Sequence, residues 1–65
     1  MSRSDFHQLN AERATAEALR LLGQRAELGP RWLTWVASEL YRLSPPPYAA
    51  MVRRELQRLT LAQQS

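Results

Sequence analysis

The sequence predicts an all-α fold: a helical hairpin plus an N-terminal helix, closed as a three-helix bundle or completed as a helical dimer. Three observations predict it. The chain has no isoleucine, and its valines are Val36 and Val52. Its apolar residues are mostly Leu and Ala, set among Arg, Glu and Gln, which favour helix, whereas β-branched residues favour strands. Its glycines are Gly23 and Gly29, too few for a series of tight hairpins. The apolar positions recur at the helical period in three runs, over about residues 5–27, 30–43 and 46–62.

In the first run, Ser4 or Asp5 suits an N-cap, and Asp5 with Gln8 has capping-box spacing. Ala11, Ala14, Thr15, Ala18, Leu21, Leu22 and Ala26 fall on one face. Arg13, Glu17, Arg20 and Gln24 fall on the other. Phe6 and Leu9 lie off the stripe. Gly23 offers a point where the run weakens or ends sooner, and the main break is expected at Leu28–Gly29. There Gly29 suits the left-handed residue after a helix, and Pro30 suits the first position of the next.

The second run carries Trp32, Val36, Leu40 and Leu43 as a stripe, widened by Leu33 and Ala37 and bordered by Trp35 and Tyr41. This arc spans roughly 200°, twice what a surface helix needs. A helix so broadly apolar is expected to pack on two sides, one of which belongs to a second chain or a partner.

The third run opens with Ser44-Pro45-Pro46-Pro47-Tyr48. Proline fits the first turn of a helix, where the backbone N–H has no helical acceptor, and Ser44 suits the N-cap. The same residues match the Pro-Pro-x-Tyr ligand pattern of WW domains. Helix initiation is the favoured reading, because Tyr48 heads the stripe Tyr48, Val52, Leu56, Leu59 and is expected to point inward.

Sixty-five residues make one domain. A chain this short buries about 60% of the surface its unfolded form exposes. Self-association is therefore an expected source of stability, and a homodimer the expected state. With no cysteine and one histidine, His7, thiolate and histidine-cluster metal sites are excluded. No phosphate-binding glycine loop or activated nucleophile is present, and the acids Glu12, Glu17, Glu39 and Glu55 read as solvated faces near arginines. The expectation is a protein that is not an enzyme and takes no cofactor. No apolar stretch reaches the roughly 20 residues of a membrane span, and MSRSDFHQLN lacks a secretory core. The cytoplasm is the expected location.

All nine basic residues are arginine, and the net charge is +3. Arginine suits interfaces through its planar fork and its stacking on aromatic rings. Arg31, Trp35 and Arg42 fall along one edge of the second helix, and Met51, Arg54 and Arg58 along the matching edge of the third. Trp, Met and Arg are enriched in interfaces, so these six form the expected partner-binding set, with a cation–π contact between Arg31 and Trp35. The expected function is binding of another protein, as a regulator, inhibitor, adaptor or small subunit. The alternative is a helix-turn-helix-like DNA binder using Arg53, Arg54 and Arg58. Against it, prolines fill the turn where base-reading side chains belong.

Overall fold

The computed structural model describes residues 3–64, with side chains for residues 9–63. These residues form α1 (Arg3–Leu22), α2 (Arg25–Leu28), a single 3-10 turn (Gly29–Arg31), α3 (Trp32–Arg42) and α4 (Pro46–Gln64). No strand occurs among them. Helix is already formed at Arg3, ahead of the start that Ser4 or Asp5 capping predicts. The side chains of Ser4, Asp5, Phe6, His7 and Gln8 lie outside the described ones.

The first correction concerns the long N-terminal helix. It ends at Leu22, not near residue 27. The Gly23 N–H still reaches the Leu19 carbonyl at 2.9 Å, but the Gln24 N–H turns back to Leu21 at 3.2 Å. The last carbonyls of a helix need partners from outside it. Leu21 finds a second one in the indole of Trp32, whose Nε1 donates at 2.7 Å. α1 therefore stops where a side chain of α3 can cap it. Ala26, assigned by periodicity to the apolar face, lies beyond the break and is exposed.

Gly29 follows α2 with φ 57° and ψ −128°, and its N–H bonds to the Arg25 carbonyl. The positive φ matches the expectation. The ψ does not, because this is the mirror-extended region rather than a left-handed helical cap, and it is nearly reserved for glycine. Pro30 sits in the 3-10 turn, and α3 proper begins at Trp32. At the other end Leu43 leaves α3 in an extended conformation. The Ser44–Pro45 peptide bond is cis.

α4 starts at Pro46, as the run Pro45-Pro46-Pro47 predicts. The carbonyl that opens it is that of Pro45, which accepts from the N–H groups of Tyr48 (2.9 Å) and Ala49 (3.2 Å). Pro45 thus takes the boundary position expected for Ser44. Tyr48 is half-buried against the core, and its hydroxyl donates to the Arg13 carbonyl of α1 at 3.4 Å. A Pro-Pro-x-Tyr ligand must offer this ring to a partner. Here the ring fixes α4 to α1.

The core joins Ala14, Ala18, Leu21 and Leu22 of α1 to Trp32 and Val36 of α3 and to Val52 and Leu56 of α4. Leu21 and Val52 are fully enclosed. The second correction concerns pairing. The expected hairpin of the second and third helical runs is not the main contact. α1 packs most extensively on α4, and α3 meets α4 far less. The alanines explain this: Ala14 and Ala18 have almost no exposure, and small side chains let two helices approach closely. α3, with its bulky face, enters the core through Trp32 and Val36.

Candidate functional site

Because α3 meets α4 so little, the wide apolar arc of α3 is only half used. Trp32 and Val36 enter the core, while Leu33, Ala37 and Tyr41 stay outside it. Leu33 is 72% exposed and Tyr41 93%. Across the gap, α4 leaves Leu61 66% exposed. Between the helices runs an open groove of about 550 Å³, lined by Trp32, Leu33, Val36, Leu40, Leu56 and Leu61 with Arg53, Gln57 and Thr60 on its flank. A shallower cleft continues it towards the Pro46 corner, between Ala37, Leu40 and Tyr41 on one side and Ala49, Ala50 and Arg53 on the other. Arg53 is the charged residue in both linings.

The six residues expected to bind a partner fall into two groups. Arg31 and Trp35 share a cleft with Leu28, Thr34 and Ser38. The Trp35 ring is half-buried against the core. The cation near it is not Arg31, as predicted, but Arg20 of α1, with its guanidinium carbon 6.0 Å from the ring centre. Arg42 is exposed, with Nη1 3.8 Å from Glu39. Met51 and Arg54 line a separate cleft against Ala11, Ala14 and Thr15 of α1. Arg58 is held by both oxygens of Glu55, at 3.0 Å each. The set is thus divided between the α3 edge near Arg20 and the seam of α1 with α4.

The carboxylates do more than solvate a surface. Glu55 accepts from the Thr15 hydroxyl at 2.7 Å and so ties α4 to α1. The Arg58 guanidinium, and then the Thr15 hydroxyl, hold its carboxyl down at a pKa of about 2. Glu39 joins Arg20 of α1, 3.3 Å away, to α3. Glu17 receives two bonds from Arg20, at 2.6 and 3.1 Å; that guanidinium lowers its pKa, against a smaller opposing effect of burial.

The arginines of the DNA-binding alternative also separate. Arg53 borders the α3–α4 groove, Arg54 the α1–α4 cleft, and Arg58 is engaged by Glu55. Among the described residues no group of three or more His, Cys, Asp or Glu side chains is placed to hold a metal ion. No helix among them is long and apolar enough to cross a membrane. No protein-family model, curated protein or solved structure matches the chain.

The exposed line Leu33–Ala37–Tyr41 was within reach of the sequence, since Leu33 and Ala37 were placed on the widened face of the second helix and Tyr41 at its border. The missing signal was which half of that face α1 would leave uncovered.

Proposed function

We propose that this chain is a non-enzymatic, cytoplasmic protein-binding module, acting as a regulator, inhibitor, adaptor or small subunit through a helical surface. The observation that carries this reading is the apolar groove between α3 and α4, with Leu33, Tyr41 and Leu61 exposed along it. Contiguous apolar surface of this kind on a small chain marks a place where protein docks. The helices fit either a three-helix bundle presenting this groove or one half of a helical dimer. Arg53, exposed where the groove meets its continuation, supplies a charge at the edge of such a centre. The apolar centre lies in the groove rather than at Trp35, whose ring is partly spent on the core.

The experiment is association measured by native mass spectrometry on cross-linked protein from source cells. Leu33→Asp places a charge in the groove without touching the core. The reading expects this variant to lose association, and Arg31→Ala with Arg42→Ala to weaken it only modestly. Unchanged association of Leu33→Asp overturns it. A steep loss of affinity for duplex DNA with rising salt, abolished by replacing Arg53, Arg54 and Arg58, establishes the alternative instead.

A further inference from the structure

We infer that the occupant of the groove is a second copy of this chain, docked about a two-fold axis that passes beside Ala37. The inference rests on the protein-binding reading above and names its partner. Three observations lead to it.

The first is area. A compact monomer of 7.5 kDa exposes about 4,200 Å² by the general scaling of surface with mass. This chain exposes 5074 Å². The excess of about 800 Å² is comparable in size to what one partner of a standard protein–protein interface buries. The radius of gyration agrees, at 12.4 Å against about 11 Å for a compact chain of this length.

The second is self-complementarity. Leu33, Ala37 and Tyr41 are spaced four apart and follow one line of α3. The small residue stands between two large ones. When two α3 helices cross antiparallel at Ala37, Leu33 of each copy meets Tyr41 of the other, and the alanines allow the axes to approach to about 8 Å. Two-fold dimers are the commonest assemblies because one patch serves both sides.

The third is charge. Within the groove and its continuation Arg53 is the charged residue, and it is exposed at the edge. The approach of two copies along α3 therefore buries no unpaired carboxylate. Glu39, on the other side of α3, is already satisfied by Arg20 and Arg42.

The test uses the absence of native cysteine. Ala37→Cys puts one thiol beside the axis, so mild oxidation of the full chain joins two copies by a disulfide. Ser38→Cys, exposed in the cleft with Trp35 on a different side of α3, is the control and stays uncrosslinked. In sedimentation or light scattering the native chain has twice its 7.5 kDa mass. Ala37→Arg, which sets two like charges at the axis, weakens association at least about 100-fold, a change worth about 2.7 kcal/mol. Its circular dichroism remains helical, because Ala37 is exposed. Equal cross-linking of the two thiol variants, or an unchanged dimer in Ala37→Arg, overturns the inference. A monomeric native chain overturns it too, and the foreign partner then separates the two readings. If Ala37→Arg abolishes binding of that partner, the docking face stands and only its occupant is wrong. If nothing binds at the groove, both readings fall.

Discussion

Trp32 does two jobs that no other side chain among the described residues combines. Its ring lies in the core, 6% exposed, with the Arg25 guanidinium carbon 5.4 Å from the ring centre, and its N–H closes the end of α1 at Leu21. Its burial was legible, since it heads the stripe of the second helical run. The hydrogen bond was not, because it spans eleven residues and depends on how the chain turns at Gly23. Trp32→Phe keeps an aromatic ring but removes the donor, leaving a buried carbonyl with one weaker partner. Stability is expected to fall by about 1–3 kcal/mol. Urea denaturation followed by circular dichroism measures it, and a midpoint within error of the native one excludes the cap. Glu55 makes a prediction of a different kind. Its folded pKa of about 2 lies below the roughly 4.3 of a free glutamate. The folded state therefore binds the proton less readily, and the contribution is fully present above the unfolded value. It is lost as pH falls from about 4.5 towards 2. Glu17 is lowered in the same direction. Melting temperatures taken across this window should drop with acid, and Glu55→Gln should flatten part of that slope.

The two glycines behave oppositely as element boundaries. Gly23 lacks a positive φ, and an added Cβ meets the Leu19 carbonyl oxygen at 3.4 Å, an ordinary contact. Gly23→Ala is therefore expected to be neutral or to stabilise by up to about 1 kcal/mol, through reduced freedom of the unfolded chain. Gly29 has open space around its Cβ position but φ 57° and ψ −128°, a region that costs other residues about 1–3 kcal/mol. Gly29→Ala is expected to destabilise by that amount, and paired thermal melts of the two variants test the contrast. If Gly23→Ala proves the more damaging, the boundary assignment is wrong. Sequence placed the main break at Gly29 because Gly-Pro is strong punctuation. It kept Gly23 as the second choice for an earlier end, because a helix propensity penalty of about 1 kcal/mol does not by itself end a helix. What ends α1 there is the indole cap offered by α3. The start of α4 was more legible, because proline's lack of an N–H restricts where it can sit in a helix.

At the scale of the whole molecule, the helical class followed from composition and period, while the pairing of helices did not. Stripe width identified α3 as the most apolar helix and suggested that it lay at the centre. The alanine seam decided otherwise: Ala14 and Ala18 let α1 close on α4, and α3 was left with one flank in the core and one in the groove. A chain built this way should owe part of its stability to whatever covers that flank. If a second copy covers it, unfolding releases two chains, and stability must depend on concentration by mass action. Above the dissociation constant, each tenfold rise in protein concentration adds about 1.4 kcal/mol per dimer, enough to raise the melting temperature by a few degrees. Ala37→Arg should melt at one temperature across the same range, because its monomer unfolds without a change in the number of particles. Scanning calorimetry over two decades of concentration distinguishes these outcomes. A native melting temperature that does not move with concentration means that the fold stands on the α1–α4 seam alone, with the α3 flank open to solvent.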